Sequence, residues 1–341
     1  MEKLKSIHGN ITFLFAILAN LVVQFVAAFA VTAAGFAGYD IGSSAVFNLL
    51  MMLCIQISFL FVFYLTVLRP KRELTLSPKN KIRYESLCFT PVIAALTICA
   101  FYLPTMWFML ALTKAGYTPS ADITMNTPFE FVLGSFVLCV AAPVGEELIF
   151  RGALLGGLRQ KYGVATSVVL SGLAFMAMHM NPSQTVYQFF LGCTCALVAL
   201  AAGSVLPSIL VHSFSNAFAI LVDYTAIGTA IARLESFLTS HAVAAVFITI
   251  ACVAVFTFAI LACVHFIGKL NKKDFSVEGK LTLEKQPLAS KPIYDADGAI
   301  TIEKHEQTVK ALENKDKMVY IVACGVCALM WIIALVSGLI S

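Results

Sequence analysis

The sequence predicts an all-α polytopic membrane protein with about nine transmembrane helices. Of its 341 residues, 60% are hydrophobic and 12% are charged, and the mean hydropathy is +0.88. Soluble domains are about 45–50% apolar and about 25% charged, so this composition excludes an ordinary soluble protein. Several apolar runs are longer than the ~18 residues needed to cross a bilayer core of about 30 Å.

Apolar runs between polar breaks define nine predicted spans. They cover residues 11–35, 44–68, 87–113, 129–150, 163–180, 184–202, 205–222, 241–268 and 318–340. The first run is longer than the apolar region of a secretory signal peptide, which has about 7–15 residues. We therefore interpret it as a membrane anchor.

The basic residues predict the direction in which the chain crosses the membrane. Cytoplasmic loops of membrane proteins are enriched in lysine and arginine. With the nine spans above, 21 of the 23 basic residues fall on one side of the membrane. The N-terminus lies on that side, so we predict that it is cytoplasmic.

The spans divide the chain into five predicted regions. They are three N-terminal helices in 1–128, a core of four spans in 129–222, an outer loop and the eighth span in 223–268, a polar cytoplasmic segment in 269–317 and a last span in 318–341. The end of the polar segment, 301–317, has a composition that favours a short helix.

Charge and cysteine content exclude several classes of protein. The net charge of +4 is too small to indicate a nucleic-acid partner. The ten cysteines all fall inside apolar runs, where a cysteine behaves as a small buried hydrophobic residue. They also lack the spacing of a zinc site. We therefore expect neither a disulfide framework nor a cysteine-bound metal.

Ionisable residues inside a span point to a functional site, because a charge at the bilayer centre costs about 3 kcal/mol or more. Glu146 and Glu147 are adjacent in the fourth span, and Arg151 follows them. Glu147 and Arg151 are four residues apart with the acid first, the order that favours an ion pair on one helical face. Glu146 projects about 100° away from Glu147 and is free for another role.

Two histidines also lie well inside predicted spans. They are His179 in the fifth span and His212 in the seventh. Phe175 lies four residues before His179, and Asn216 lies four residues after His212. Each pair therefore shares a helical face.

Counting residues along the helices predicts the depth of these side chains. Glu146 and His179 are each about 16 residues from the turn near residue 162, so an antiparallel hairpin places them at equal depth. Counting from the turn at 203–204 places His212 and Asn216 nearer the inner surface. A tilted or partly broken seventh span would be needed to bring them to the same site.

The polar residues form three motifs that resemble those of the CPBP intramembrane protease family, also called Abi or type II CAAX prenyl endopeptidases. The motifs are Glu146-Glu147-x-x-x-Arg151, Phe175-x-x-x-His179 and His212-x-x-x-Asn216. The resembling region covers residues 129–222, under a third of the chain. The family includes CaaX-processing proteases and bacteriocin-related proteins of bacteria.

With this resemblance, three classes of function are considered for the buried polar residues. The first is an intramembrane endopeptidase, as the resemblance implies. The second is a non-catalytic scaffold or regulator that binds a membrane protein or a bacteriocin, in which the polar residues only join helices. A transporter is disfavoured, since the sequence has no repeated pair of broken helices. The substitution Glu146→Gln separates the first two classes, because it should abolish proteolysis but spare scaffolding.

The resemblance implies hydrolysis of a peptide bond by a glutamate-activated water. It assigns the catalytic roles to Glu146, His179, His212 and Asn216. It assigns supporting roles to Glu147, Arg151 and Phe175. Glu146 would be the general base, and His179 would hold and activate the water. His212 and Asn216 would orient the water or donate hydrogen bonds to the oxyanion.

The resemblance also implies partners and a location. No cofactor is expected, because there is no HExxH helix and the eukaryotic branch of the family resembles a metal-independent glutamate protease. The alternative is zinc or another divalent metal on Glu146, His179 and His212. The expected partners are a membrane-associated peptide or protein substrate and the lipid bilayer, without nucleic acid. Compact loops and the absence of a targeting signal favour the bacterial cytoplasmic membrane, where peptide maturation and bacteriocin immunity are the expected roles.

Overall fold

A computed structural model describes residues 2–119, 123–273 and 302–340, which form ten helices and one short strand pair. The helices are α1 (Ser6–Phe36), α2 (Ala45–Leu68), α3 (Tyr84–Lys114), α4 (Pro128–Leu158), α5 (Val164–Met178), α6 (Pro182–Ala202), α7 (Leu206–Asp223), α8 (Ala226–Ser240), α9 (Ala242–Leu270) and α10 (Ile302–Ile340). The strands β1 (Glu2–Lys3) and β2 (Arg72–Glu73) form a two-residue parallel pair. This pair ties the N-terminus to the loop after α2.

The all-α polytopic fold is confirmed. Among the described residues, 8 helical segments are long and apolar enough to cross a membrane. The predicted fifth span, 163–180, forms the helix Val164–Met178, whose 15 residues are fewer than a full crossing needs. The orientation of the bundle in the membrane stays a prediction.

Large apolar side chains cover the outer surface of the bundle. Phe25 on α1 is 74% exposed, and Phe258 on α9 is 75% exposed. A water-facing surface rarely carries large contiguous apolar patches, whereas hydrocarbon solvates such side chains without cost. The backbone of the long helices satisfies its own hydrogen bonds, as the bilayer core requires. The chain is therefore an integral membrane protein.

Helix α4 occupies the centre of the bundle and contacts α1, α2, α5, α6 and α7. Two glycines let α1 and α4 approach at backbone distance. A Cβ atom added to Gly9 would lie 2.6 Å from the carbonyl oxygen of Ala153, and one added to Gly157 would lie 3.0 Å from that of Lys5. Small residues at such crossings are the usual packing device between helices in membranes.

Helices α5 and α6 form a hairpin with an equally close crossing. A Cβ atom added to Gly192 of α6 would lie 3.0 Å from the Cα atom of Gly172 and 3.2 Å from the ring of Phe175 on α5. This crossing brings the backbone of α6 within reach of side chains on α4.

Helix α10 packs along α1 and α5. Its contacts with the two turns at either end of α5 locate the α5–α6 turn along the length of α10. Lys161, in the α4–α5 turn, forms a salt bridge of 3.1 Å with Asp316 of α10. Trp331 of α10 donates a hydrogen bond of 2.8 Å to Thr185 after the α5–α6 turn. The helix rises about 22 Å between Asp316 and Trp331 and then continues to Ile340. The α5–α6 turn is therefore recessed within the bundle.

Two predictions outside the core need adjustment. The predicted outer loop contains helix α8, a 15-residue helix between α7 and α9. The short helix predicted over 301–317 is the beginning of α10, which continues without interruption into the last span. The remainder of the polar segment, 274–301, lies outside the described residues.

Candidate active site

Helix α4 is distorted on both sides of its acid pair. Wider π turns cover Val137–Ala141 and Leu148–Leu155, and Pro143 lies between them. Proline has no N–H to donate to the preceding turn, so a regular α-helix cannot continue unchanged through it. Single π turns within α-helices are frequent at functional sites. The backbone that carries Glu146 and Glu147 therefore departs from regular helix on either side.

Glu147 and Arg151 form the ion pair that their spacing predicts. Arg151 Nη1 donates to Glu147 Oε1 at 2.7 Å, and both side chains are fully buried. The second guanidinium arm, Nη2, donates to the carbonyl oxygen of Gly192 on α6 at 2.8 Å. The guanidinium also lies 4.4 Å from the ring centre of Phe175. Arg151 thus joins α4 to both helices of the α5–α6 hairpin.

His212 of α7 lies between the two glutamates. Its Nδ1 is 3.2 Å from Glu147 Oε1 and must donate, because a carboxylate only accepts. Its Nε2 is 4.0 Å from Glu146 Oε2. The bond at Nδ1 therefore fixes the ring so that Nε2 faces Glu146.

The depth of His212 does not require a broken seventh span. Helix α7 is continuous from Leu206 to Asp223. The turn before it lies at the level of Leu155, three residues before α4 ends at Leu158, because Val205 and Leu155 pack in one buried cluster. Glu147 is eight residues from Leu155 and His212 is seven from Val205, so both rise about 11 Å above this level.

Glu146 is held by a residue of the second helix. Gln56 Nε2 donates to Glu146 Oε1 at 3.2 Å. The other carboxylate oxygen, Oε2, is buried and has no hydrogen-bond partner among the described residues. The Glu146 side chain is 12% exposed, whereas that of Glu147 is fully buried. Of the two acids, Glu146 is thus the one whose side chain is partly exposed.

His179 immediately follows the short helix α5, at the recessed turn. Its Nδ1 lies 2.8 Å from the carbonyl oxygen of Phe175 and donates to it, which leaves Nε2 free of this bond. The next residue, Met180, has a φ of 49° and is buried, so the helix ends at once in a left-handed residue. Across the α4–α5 hairpin, His179 interacts electrostatically with Glu146.

Phe175 separates the two imidazole rings. Its ring centre lies 4.9 Å from that of His179 and 5.5 Å from that of His212, both in edge-to-face geometry. Phe150 contacts it from α4 at 5.1 Å. Phe175 is fully buried and acts as the packing centre of the site.

Asn216 contacts the backbone of α4 and not its side chains. Its Nδ2 donates to the carbonyl oxygen of Leu138 at 2.8 Å. Within the π turn, the N–H of Ala142 bonds to Val137, and the next residue, Pro143, has no N–H. The carbonyl of Leu138 therefore lacks a donor from its own helix, and Asn216 supplies one.

The structure brings six of the seven predicted residues into one contact network on α4, α5 and α7. They are Glu146, Glu147, Arg151, Phe175, His179 and His212. Asn216 joins α7 to α4 beside this network. Sequence reasoning missed Gln56 and the carbonyl of Gly192. An uncharged amide amid the apolar residues of the second span was the available indication for Gln56, whereas a backbone carbonyl has no sequence signature.

Among the described residues, no group of three His, Cys, Asp or Glu side chains is arranged to hold a metal ion. The alternative set of Glu146, His179 and His212 is therefore not assembled as ligands in this structure. The Nδ1 atoms of both histidines are bonded to oxygen atoms, which leaves each Nε2 clear of that bond, and histidine ligands of metals are held in the same way. The choice between a metal-free site and a metal on these residues stays a prediction.

Comparison with known proteins gives one match. Residues 128–218 match the model of a family described as type II CAAX prenyl endopeptidase Rce1-like. Neither a curated protein nor a solved structure matches the chain. The match covers the helices that carry all three motifs, α4 to α7. Over residues 128–218 the chain is therefore similar to the type II CAAX prenyl endopeptidase family, and the resemblance indicated by its motifs is confirmed.

Proposed function

We propose that this protein is an intramembrane endopeptidase in which Glu146 activates water for attack on a peptide bond. The observation that carries this proposal is the free oxygen of Glu146, buried and without a hydrogen-bond partner among the described residues. Native structures satisfy nearly all buried polar atoms, and exceptions call for an explanation. Glu147 Oε2 and Gln56 Oε1 are also buried without a partner among the described residues. Glu146 Oε2 differs from them because it faces His212 Nε2 at 4.0 Å, a separation that leaves room for a shared ligand. We take this pairing to favour catalysis over the scaffold alternative.

The charges around the site suit a general base. Two adjacent carboxylates repel each other strongly in a medium of low dielectric constant. Arg151 offsets the charge of Glu147 through a direct bond. Among the described residues, Glu146 accepts a hydrogen bond only from the Gln56 amide, so we assign its negative charge to act on water.

The proposed reaction begins with one water molecule held by Glu146 and His179. Because the Nδ1 of His179 donates to a backbone carbonyl, its neutral ring presents Nε2 as an acceptor. A water bound to Nε2 and to Glu146 Oε2 directs a lone pair at the peptide carbonyl. Its oxygen attacks the carbonyl carbon while Glu146 takes one proton. Glu146 then passes this proton to the leaving amide nitrogen as the C–N bond breaks.

We assign the oxyanion to His212 and a positioning role to Asn216. The His212 Nε2 faces Glu146 Oε2 at 4.0 Å, too far for a hydrogen bond but able to share a small ligand between the two atoms. Because His212 Nδ1 already donates to Glu147, Nε2 can donate to the oxyanion only when both ring nitrogens carry a hydrogen, and we assign this doubly protonated ring to the reaction. A preorganised donor at such a position is worth about 3–4 kcal/mol of transition-state stabilisation. Asn216 bonds to the Leu138 carbonyl and so fixes α7 against α4.

The proposed substrate is a membrane-associated peptide or protein. The matched family is described by its action on CAAX prenyl tails, and we propose a lipid-attached or membrane-spanning peptide as the substrate of this chain. The reaction as drawn needs no cofactor.

Purified protein in lipid nanodiscs tests the proposal with three quenched fluorescent peptides. One carries a farnesylated CaaX tail, one has the same tail without farnesyl, and one has a transmembrane anchor. Wild type and Glu146→Gln are compared after chelation and dialysis. We expect wild type to cleave at least one membrane-attached peptide without added metal and Glu146→Gln to cleave none.

Other outcomes point elsewhere. Equal cleavage by both proteins would remove Glu146 as the base. Wild-type cleavage that is lost on chelation and restored by zinc would overturn the metal-free reaction. Binding of the peptides without cleavage would favour the scaffold alternative.

A further inference from the structure

The second helix, outside the region that matches the protease family, reaches the proposed catalytic glutamate. Helix α2 is apolar for most of its length, and Gln56 lies in its middle with only 6% of its surface exposed. Burial of an amide in an apolar setting is costly unless it is hydrogen-bonded. Gln56 uses this position to donate to Glu146 Oε1 at 3.2 Å.

The approach of Gln56 depends on a glycine beside the acid. A Cβ atom added to Gly145 would lie 2.6 Å from the Oε1 atom of Gln56. The residue before Glu146 therefore leaves space for the amide. The amide of Gln56 on α2 thus fills the space that Gly145 on α4 provides by having no side chain.

We infer that Gln56 is a positioning residue for the base, an inference that rests on the proposed function. Its amide holds Glu146 Oε1 and thereby directs Oε2, the oxygen without a partner, toward water and substrate. The free Oε2 also faces His212 Nε2. Without the amide hydrogen bond, the carboxylate can rotate, and fewer molecules hold the base in the productive geometry.

The test compares two glutamines changed in the same way. Gln56→Met keeps the length of the side chain and removes its N–H donors. The control is Gln24→Met on α1, because the amide of Gln24 bonds only to Asn20 of its own helix in the described structure. Each variant is assayed for kcat and KM on the peptide that wild type cleaves best, and for its thermal midpoint in nanodiscs.

We expect Gln56→Met to lower kcat about tenfold, because this is the change in rate that corresponds to the loss of one hydrogen bond to a charged group. KM and the thermal midpoint should remain near wild type, and Gln24→Met should change none of the three. A kcat within twofold of wild type would overturn the inference. So would a loss of kcat that is matched by a fall in the thermal midpoint, since that indicates a structural role.

An infrared measurement keeps the test independent of turnover. The difference spectrum between wild type and Glu146→Gln isolates the carboxyl band of Glu146. We expect Gln56→Met to shift this band and Gln24→Met to leave it in place. An unshifted band in Gln56→Met would overturn the inference without any substrate. A shifted band together with an active Glu146→Gln variant would instead overturn the proposed function and keep the contact.

Discussion

At the scale of single residues, Arg151 is the positive charge that offsets the negative charge of Glu147 inside the bundle. It is fully buried, and its guanidinium bonds Glu147 and Gly192 while it lies over Phe175. Buried ion pairs recover their desolvation cost only with good geometry and further hydrogen bonds. The planar fork of arginine provides both contacts at once, which the point charge of lysine does not. Arg151 thereby keeps Glu147 in position to orient His212.

Removal of Arg151 should therefore destabilise the fold. The substitution Arg151→Met leaves Glu147 as a buried charge without its partner, and we expect the free energy of unfolding to fall by about 3–5 kcal/mol. Equilibrium unfolding in mixed detergent micelles measures this change. The double variant Glu147→Gln with Arg151→Met removes both charges and should recover part of the loss. A single Arg151→Met variant as stable as wild type would contradict the role of this pair.

Substitution of Asn216 should lower the stability of the fold, because its side chain joins α7 to α4. The variant Asn216→Ala leaves the part-buried Leu138 carbonyl without its side-chain donor, and we expect a cost of about 1 kcal/mol, the low end of the range for an unsatisfied buried acceptor. Substitution by Asp should cost at least as much, because an ionised carboxylate cannot donate. Unfolding midpoints of both variants measure the effect. If both variants unfold as wild type does but lose kcat, Asn216 belongs to the oxyanion site and not to the α4–α7 contact.

The charged residues of the site were predictable from sequence, and their neutral partners were not. Glu146, Glu147 and Arg151 stand out because a charge is rare inside an apolar run. Gln56 and Asn216 are uncharged amides, which occur in many spans. Gln56 and Asn216 find their partners on another helix, so the spacing of residues within one helix does not predict these contacts.

At the scale of elements, the two irregular helices of the core build the site. The short α5 ends within the bundle, and His179 directly after it interacts electrostatically with Glu146. Irregular backbone inside a membrane bundle is tolerated where protein buries it. The π turns of α4 free the Leu138 carbonyl and turn the acid pair toward α7 and α2.

The α5–α6 crossing should be intolerant of a single methyl group. In Gly192→Ala the new Cβ meets the backbone of Gly172 at 3.0 Å, where no flexible side chain can yield. We expect the free energy of unfolding to fall by about 1–3 kcal/mol, with a loss of activity as Arg151 loses its acceptor. The matched control is Gly325→Ala on α10, where a Cβ atom meets nothing within 4 Å. It should be neutral or slightly stabilising. Equal stability of the two variants would contradict the close crossing.

Hydropathy located the long helices well because length and apolarity are all that a bilayer crossing requires. It overestimated the fifth span, since the apolar residues around Met180 continue past the point at which the backbone turns. It missed α8, whose apolar and polar residues alternate over 15 residues without a continuous apolar run. The π turn at Val137–Ala141 precedes Pro143, which has no N–H for a regular helical bond, and hydropathy does not detect such a backbone change.

At the scale of the whole molecule, the site extends beyond the matched region. Residues 128–218 supply α4 to α7, but Gln56 comes from α2, and α1 packs on α4 through Gly9. The N-terminal helices therefore support the site as well as anchoring the chain. The location in a bacterial cytoplasmic membrane stays a prediction.

The membrane orientation can be tested through the lysine-rich segment 269–317. Its ten lysines should lie in the cytoplasm if positive charge sets the topology. Trypsin added to inverted membrane vesicles should cut this segment, whereas right-side-out vesicles should protect it. Cleavage in right-side-out vesicles alone would reverse the predicted orientation.

The most direct measurement is the rate of peptide cleavage by two variants with the same substitution at adjacent positions, Glu146→Gln and Glu147→Gln. General base catalysis contributes about 10²–10⁴-fold. We therefore expect Glu146→Gln to lose at least about 100-fold in kcat with an unchanged unfolding midpoint. Glu147→Gln should instead lower the midpoint, because Arg151 loses its partner. Cleavage by folded Glu146→Gln at the wild-type rate would contradict the assignment of Glu146 as the base.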